Sequence, residues 1–473
     1  MIDSNLTILR LSKWLREYWQ LLPLIIVSIL FYWVLWLNVY AIIASVILVG
    51  ITISRYNQLH VVLKRYWPVL VILLIISISM WIRLVGFYTP DGTRWEYLRN
   101  IDSYFFLRHI DDVLQVGYYS GYDHLMNAPF GQSVGGVNLY FYFGAYSYML
   151  YNLFNPTALE QFLIWFPALL ASLLVIPMYY IGKTLFDRKA GVLAAIFMVF
   201  SVSFISRSLG GDPDSDGIVM LVAMASIAAF LIFYKYLNTE KIFARRNIIW
   251  SVITAVLLAI FACTWSGYFF VFVIILGFVI VKIILDLIRT KNLRKTWSDS
   301  RSLIVNVIII LVVFWILTVP FFGLEFISSF ITTPVTSLGA SGGLKAEAGH
   351  FPNVAVSIAE LMSGGQAGQV IVSASGLDTA ASVSGIPVSL LFFISPFLLM
   401  VVCILYLLYS YYKKRKHLDT LVFLGIWFFG FVFASVIAVR FTIFLAPVYA
   451  IGSAIAISKV WRLATSEDNE IGD

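Results

Sequence analysis

Residues 206–237 read SRSLGGDPDSDGIVMLVAMASIAAFLIFYKYL. The first part carries Asp212, Asp214 and Asp216, and the second part is a predominantly apolar run from 217 to 237. About 20 apolar residues are what an α-helix needs to cross the hydrocarbon core of a bilayer. This stretch therefore predicts a membrane-spanning helix that begins directly after an acidic loop.

The same pattern extends over the 473-residue chain. Hydrophobic residues make up 61% and charged residues 12%, whereas a soluble domain carries about 25% charged residues. This composition excludes a soluble enzyme and a disordered chain, and the continuous apolar runs exclude a membrane β-barrel. We expect an all-α polytopic membrane protein of about 12 helices. The predicted helices lie near 21–36, 38–54, 67–86, 159–182, 190–206, 217–237, 247–264, 267–288, 302–322, 387–410, 420–437 and 441–460.

The Lys and Arg residues indicate the orientation. They concentrate in alternate loops, and the positive-inside rule places these loops, together with both termini, in the cytoplasm. The net charge of +7 therefore reflects topology, and we expect no nucleic-acid partner. The opposite, outer face carries two long loops, 87–158 and 323–386, and the short acidic motif 207–217. Cys263 and Cys403 lie inside apolar runs and are expected to be core residues without a disulfide.

The predicted organisation has three parts. Residues 1–66 form an N-terminal extension with two apolar segments and no cleavable signal pattern. Residues 67–460 form the transmembrane domain, and residues 461–473 form a cytoplasmic acidic tail. The first outer loop is rich in Tyr and Phe, which suits interfacial helices. The second is rich in Gly and Ser, which suits a mobile flap.

The acidic motif allows two interpretations. Asp214 and Asp216 alternate in an extended segment and could share one divalent cation, since carboxylate oxygens suit Mg²⁺ or Mn²⁺. Equally, an Asp could cap the helix that begins near Gly217. An EF-hand is excluded because its twelfth position would be Ala223, where a Glu is required.

Four further outer residues are candidates for a site. Asp102 lies in Asn100-Ile-Asp-Ser-Tyr-Phe-Phe-Leu-Arg108, where a helix cap at the membrane interface is the simpler interpretation. Glu360 ends Ser357-Ile-Ala-Glu360 and could simply be solvated. Arg440 and Arg207 could bind a phosphate or reach lipid headgroups. No histidine has the spacing of a zinc ligand.

In order and spacing, these motifs resemble the catalytic subunit of oligosaccharyltransferase, the STT3/AglB/PglB family of GT-C membrane glycosyltransferases. The resemblance runs from about residue 67 to 460. Thr264-Trp-Ser-Gly-Tyr268 is similar to a Trp-Gly-Gly-Tyr stretch of that family, and Arg440-Phe-Thr-Ile-Phe-Leu-Ala-Pro447 to its phosphate-binding arginine segment. The resemblance implies a GT-C bundle that transfers a glycan from a polyprenyl phosphate or diphosphate to an acceptor Asn.

The resemblance also implies roles for individual residues. Asp102, Asp214 and Asp216 correspond to ligands of a divalent cation, Mn²⁺ or Mg²⁺. Asp102 and Glu360 correspond to the carboxylates that contact the acceptor amide. Arg440, and by its position Arg207, would meet the phosphate of the lipid-linked oligosaccharide. The other partners implied are an acceptor polypeptide and the membrane itself.

One family feature is missing from the sequence. Relatives carry a further span and a soluble domain with a Trp-Trp-Asp-Tyr-Gly motif that binds the acceptor sequon, and these 473 residues hold no such motif. A separate chain could supply that domain. The alternatives are another GT-C enzyme that uses a lipid-phosphate sugar, a non-catalytic paralogue, and a transporter. The composition favours a prokaryotic plasma membrane with the site outside, and the endoplasmic reticulum membrane is the second choice.

Overall fold

The computed structural model describes residues 56–85, 97–119, 121–126, 128–133, 138–328, 330, 332, 365–375, 395–437 and 439–465. The fold is helical throughout this part apart from one short antiparallel pair, β1 (Tyr122–Asp123) and β2 (Gln132–Ser133). The helices are α1 Tyr56–Val85, α2 Ile101–Val116, α3 Leu139–Asn152, α4 Leu159–Leu173, α5 Val175–Leu185, α6 Arg188–Val199, α7 Val202–Ile205, α8 Asp216–Lys235, α9 Arg245–Thr264, α10 Phe269–Thr290, α11 Leu293–Phe322, α12 Ala367–Ala374, α13 Pro396–Lys414, α14 Leu418–Ile437 and α15 Ala446–Ala464.

Nine helical segments within the described ranges are long and apolar enough to cross a membrane. Each matches one of the predicted spans, and α4 and α5 together form one of them, Leu159–Leu185. The predicted segments 21–36 and 38–54 lie outside the described residues, as does the beginning of the predicted helix 387–410. The prediction of an all-α polytopic chain is confirmed.

The predicted helix over 190–206 is wrong in its extent. The continuous helix is α6, Arg188–Val199, which has 12 residues and is about 18 Å long at 1.5 Å per residue. It ends where Ser201 and Ser203 hydrogen bond to each other at 2.9 Å. Ser201 has an extended backbone conformation at the N-cap of the short helix α7, so the helix is interrupted between α6 and α7.

The first outer loop contains two helices that precede the acidic motif in sequence. The Asn100 side chain caps α2 by accepting from the Ile101 backbone N–H at 2.8 Å. The Asn138 side chain caps α3 by accepting from Tyr140 N–H at 3.0 Å. Asn is among the strongest helix-capping residues because its side chain satisfies an otherwise unpaired amide. The described part of this loop therefore contains two helices whose starts are fixed by asparagine caps.

Helices α5 and α6 pack closely against each other near the turn that joins them. A Cβ atom at Gly182 of α5 would lie 2.7 Å from the Ala190 carbonyl oxygen, and one at Gly191 of α6 would lie 2.6 Å from the Tyr179 carbonyl oxygen. Small residues allow helix backbones to approach in this way inside a membrane. Cys263 and Cys403 are buried and free, as predicted.

The chain divides into two compact units. Residues 79–456 form one unit, which holds every site residue described below. Residues 1–78 and 457–473 form the other unit, whose described part consists of helical segments of α1 and α15 together with Thr465.

Candidate functional site

The acidic loop between α7 and α8 is held by backbone hydrogen bonds to three distant segments. Gly210 N–H donates to the Arg83 carbonyl at 2.9 Å, and Gly211 N–H donates to the Ile164 carbonyl at 2.8 Å. The Gly211 carbonyl in turn accepts from Arg99 N–H at 2.8 Å. The loop is therefore fixed against the carboxyl end of α1, the first half of α4 and the segment that leads into α2.

Two glycines make this close approach possible. Gly211 has a φ of +76°, which a residue with a side chain rarely adopts. A Cβ atom at Gly210 would lie 2.9 Å from Leu84 Cδ2 and 3.1 Å from the Arg83 carbonyl oxygen. The Gly-Gly pair thus explains why the loop can hydrogen bond directly to other backbone segments.

Asp102 lies in the first turn of α2, close to the acidic loop. The next residue, Ser103, is fully buried, and its hydroxyl donates to Asp212 Oδ1 at 3.0 Å. A carboxylate in the first helical turn is stabilised by the helix dipole. The start of α2 and the acidic loop, which are 109 residues apart in sequence, therefore meet through adjacent residues.

Asp212 has an unfavourable electrostatic environment. Burial raises its pKa above the ordinary value, and the negative charge of Asp102 raises it further. The hydrogen bond from Ser103 and the positive charges of Arg99 and Arg207 act in the opposite direction. Because Ser103, the residue next to Asp102, bonds to Asp212, the two carboxylates are neighbours whose like charges repel each other.

Tyr140 of α3 lies beneath the same loop and is fully buried. Its hydroxyl donates to the Pro213 carbonyl at 2.9 Å. Burial raises the pKa of Tyr140, and the charges of Asp214 and Asp212 add to the effect. Asp214 Oδ1 accepts from the backbone N–H of Ser215 at 2.5 Å. Tyr140 thus supports the loop through the Pro213 carbonyl.

Asp216 is the first residue of α8 and contacts Arg207. Arg207 Nη1 and Asp216 Oδ2 are 3.4 Å apart, and both side chains are about one quarter exposed, at 28% and 26%. The N-cap of α8 is Ser215, without a side-chain capping bond. The interpretation of the motif as an Asp cap at Gly217 is therefore wrong.

A small cavity of about 20 Å³ joins three of the sequence motifs. It is lined by Arg207 and Asp216, by Trp265, and by Ile443 and Phe444 from the 3-10 helix Val439–Leu445. The Trp265 and Phe444 rings are stacked, with centroids 5.4 Å apart and planes at 18°. Such a volume suits a single water molecule.

The carboxylates provide a set of donors that suits a hard divalent cation. All are oxygen ligands, which Mg²⁺ and Mn²⁺ prefer, and the mutual repulsion of Asp102 and Asp212 is what a bound cation would relieve. Within the described residues, no group of three or more His, Cys, Asp and Glu side chains is arranged closely enough to hold a metal ion. The assignment of Asp102, Asp214 and Asp216 as ligands stays a prediction.

The side chains of two predicted site residues, Glu360 and Arg440, lie outside what the structure describes. Glu360 lies outside the described residues. Arg440 belongs to the 3-10 helix Val439–Leu445, so its backbone is in the same short helix as the Phe444 that stacks on Trp265. The position of the Arg440 side chain lies outside what the structure describes.

Arg83 is a residue that sequence reasoning missed. It is 0% exposed and donates to Ser208 Oγ at 2.9 Å, Ser79 Oγ at 2.7 Å and the Val199 carbonyl at 3.3 Å. Its guanidinium also lies 5.0 Å from the centroid of the Phe204 ring. An ionisable residue within an apolar span is costly and usually functional, and this signal could have identified Arg83.

Comparison with known proteins identifies the family to which the sequence is similar. The family model described as "Oligosaccharyl transferase STT3, N-terminal" matches residues 87–465. The Pyrococcus furiosus dolichyl-phosphooligosaccharide-protein glycotransferase 1 is 28% identical over 240 residues, which are 50% of this chain and 24% of that protein. The Haloferax volcanii dolichyl-monophosphooligosaccharide–protein glycotransferase AglB is 26% identical over 262 residues, 51% of this chain and 25% of that protein.

Solved structures show the same fold. The archaeal oligosaccharyltransferase AglB from Archaeoglobus fulgidus, in complex with an inhibitory peptide and a dolichol-phosphate, superposes with a TM-score of 0.62 at 17% identity. The match covers 87% of this chain and 52% of that chain. The chain thus spans about half the length of the solved structure and a smaller share of the curated relatives.

Proposed function

The chain belongs to the oligosaccharyl transferase STT3 family, and from this we propose that it transfers a glycan from a polyprenyl phosphate or diphosphate carrier to the side-chain amide of an asparagine. The observation that carries the proposal is the contact between Ser103 and Asp212. It brings Asp102 next to the acidic loop, where the family resemblance requires it.

The reaction breaks the bond between the sugar C1 and the phosphate oxygen and forms a bond between C1 and the asparagine nitrogen. The bonding electrons stay with the phosphate oxygen, and one amide proton passes from the nitrogen to one of the carboxylates that accept the amide N–H bonds. Two difficulties follow. Negative charge develops on the leaving phosphate, and the amide nitrogen is a weak nucleophile because its lone pair is delocalised.

In this proposal Arg440 donates hydrogen bonds to the phosphate. Removing one such preorganised donor costs about 3 kcal/mol in the activation free energy. Arg207 is the second phosphate candidate, and its contact with Asp216 places a carboxylate beside it. A divalent cation held by Asp102, Asp214 and Asp216 would supply further positive charge for the leaving group.

The acceptor amide is oriented by two carboxylates. Asp102 and Glu360 accept its two N–H bonds, which holds the nitrogen towards C1 and reduces its delocalisation. Glu360 comes from the loop 323–386, and we propose that this loop closes over the bound acceptor. Positioning of this kind converts an encounter between two molecules into a reaction between neighbours.

The location follows from the charge distribution. The positive-inside rule assigns the basic loops to the cytoplasm. The acidic loop lies on the opposite face, which is therefore the outer one. We propose a prokaryotic plasma membrane with the site on its outer face. The sequon-binding motif of the family is not in residues 1–473, and we propose that a segment outside this sequence, or a separate chain, provides it.

The test is transfer to a peptide. The purified protein is incubated with native lipid-linked oligosaccharides, Mn²⁺ and a fluorescent Asn-x-Thr peptide, with and without a chelator. We expect a chelator-sensitive mobility shift. Asp102→Asn and Glu360→Gln should each reduce transfer by at least about 100-fold. Asp111→Asn, on the same helix as Asp102, is the matched control and should keep normal transfer.

Two results would count against the proposal. Normal transfer by Asp102→Asn would reject that residue as catalytic. No transfer, together with Mn²⁺ binding that Asp102→Asn and Asp214→Asn do not weaken, would reject the site as a whole. Mn²⁺ binding that both variants abolish would support the metal assignment, and transfer would then be tested with a sequon-binding domain of a relative added.

A further inference from the structure

A second site lies at the cytoplasmic ends of the helices, away from the acidic loop. A cavity of about 320 Å³ is lined by residues from α5, α8, α10 and α14 and from the connection between α13 and α14. This volume falls within the usual range for small-molecule pockets. We propose that this cavity and the groove beside it bind an anionic phospholipid of the cytoplasmic leaflet, with the phosphate in the cavity and an acyl chain in the groove.

The cavity is strongly cationic. Its lining includes four Lys and Arg side chains and one carboxylate, Asp419. The cations are Lys235, Lys282, Arg289 and Arg415. Basic pockets between helices on the cytoplasmic side are suited to phosphate headgroups. The connection that follows α13 adds to this field, because residues 413–417 read KKRKH.

The carboxylate is already engaged by the protein. Asp419 Oδ1 lies 3.0 Å from Lys282 Nζ, and Asp419 Oδ2 accepts from the Tyr234 hydroxyl at 2.7 Å. Lys282 also lies 3.4 Å from Asp286 Oδ1. The two carboxylates outweigh Lys282 by one charge, and counted against all four cations they leave the cluster with a net charge of +2. This net positive charge therefore remains available for a ligand.

Two of the remaining cations contact neutral groups. Lys235 Nζ donates to the Thr184 carbonyl at 3.0 Å, at the carboxyl end of α5. The Arg415 guanidinium lies 5.3 Å from the centroid of the Tyr411 ring. Such contacts position the cations without neutralising their charge.

An apolar groove adjoins the cavity and favours a lipid as the ligand. The groove has a volume of about 490 Å³ and shares Thr184 and Lys235 with the basic cavity. Apolar side chains line its length, among them Ala225, Ala228 and Leu257. A site that is basic at one end and apolar along the other fits an amphiphile, whereas free phosphate would use only the basic end.

The experiment measures lipid binding by the full chain in detergent, using native mass spectrometry. Phosphatidylglycerol is compared with phosphatidylcholine of the same acyl chains. We expect phosphatidylglycerol to bind at least about tenfold more tightly. Each Lys or Arg near an anionic lipid contributes about fivefold, so the double variant Arg289→Gln and Arg415→Gln should lose at least about tenfold.

A matched double variant controls for the general loss of positive charge. Arg294→Gln and Lys295→Gln removes two exposed cations from the start of α11, outside the cavity lining. The affinity of this control variant for phosphatidylglycerol should change less than about twofold. Ala225→Leu fills the groove and should weaken binding while leaving all charges in place. Unchanged thermal unfolding would show that each variant is folded.

Three results would overturn the proposal. Equal binding of phosphatidylcholine and phosphatidylglycerol would exclude headgroup recognition. An equal loss of phosphatidylglycerol affinity in the control double variant would show that the binding depends on general surface charge and not on the cavity. Displacement of the lipid by millimolar inorganic phosphate would show that the cavity is a site for a free anion and not for a phospholipid. These results do not depend on glycan transfer, so they are separate from the test of the proposed function.

Discussion

The Nε atom of Arg83 donates a hydrogen bond of 2.9 Å to the Ser208 hydroxyl, joining the carboxyl end of α1 to the loop that carries the aspartates. Two residues further on, Gly210 N–H donates to the carbonyl of the same Arg83 at 2.9 Å. A single residue, 125 positions away from Ser208, therefore fixes the loop through both its side chain and its backbone.

Arg83→Met should destabilise the protein. The substitution removes the donors to Ser208 and to the Val199 carbonyl, and each buried polar group left unpaired costs about 1–3 kcal/mol. We expect a loss of about 3 kcal/mol in the free energy of unfolding, measured by denaturation in mixed micelles. The free energy of unfolding of Arg83→Lys should lie between those of the native protein and Arg83→Met. Lysine keeps the positive charge but lacks the planar guanidinium that donates several hydrogen bonds.

Ser208→Ala provides a graded comparison for Arg83. It removes one acceptor and leaves the Ser79 and Val199 contacts in place, so the loss should be about 1–2 kcal/mol. A variant at Arg83 that is as stable as the native protein would show that the network does not hold the loop.

Gly210→Ala tests the tight packing of the acidic loop directly. Its Cβ would lie 2.9 Å from Leu84 Cδ2 and 3.2 Å from the Ile164 carbonyl oxygen, and crowding of this kind typically costs about 1–3 kcal/mol. Gly425→Ala is the matched control, because nothing lies within 4 Å of its Cβ. Within a helix that change should stabilise slightly. Equal stability of the two variants would contradict the packing argument.

The positions of the spans could be predicted from the sequence because a bilayer demands apolar runs of fixed length. The helix break after α6 could not be predicted, since it depends on the extended backbone of Ser201 within an apolar stretch. The convergence of Asp102 and the acidic loop was expected only from the family resemblance. The buried contacts of Arg83 and Tyr140 depend on packing between distant segments, which local patterns do not contain.

Tyr119 should make the first outer loop sensitive to alkaline pH. Burial raises its pKa to about 12, with further contributions from the charges of Asp123 and Asp112. Because the folded value lies above the ordinary value of 10.0, folding favours the protonated phenol. Its stabilising contribution is fully present below pH 10 and is lost between pH 10 and about pH 12.

The measurement is thermal unfolding from pH 9 to pH 12 for the native protein and Tyr119→Phe. We expect the unfolding temperature of the native protein to fall more steeply than that of the variant above pH 10. Tyr104→Phe, at an exposed position of α2, should follow the native curve. Parallel curves for Tyr119→Phe and the native protein would contradict the prediction.

The last prediction concerns Arg207, which could serve the donor phosphate or neutralise Asp216. Its guanidinium lies 3.4 Å from Asp216 Oδ2, and partly exposed pairs of this kind contribute about 0.2–1 kcal/mol. If the pair acts as a unit, Arg207→Gln should impair transfer less in an Asp216→Asn background than in the native protein. If Arg207 binds phosphate independently, the two effects should add. A double-mutant cycle on kcat/KM for glycan transfer distinguishes these cases. Because the structure joins the two side chains, we expect coupling, and strictly additive losses would assign Arg207 to the phosphate alone.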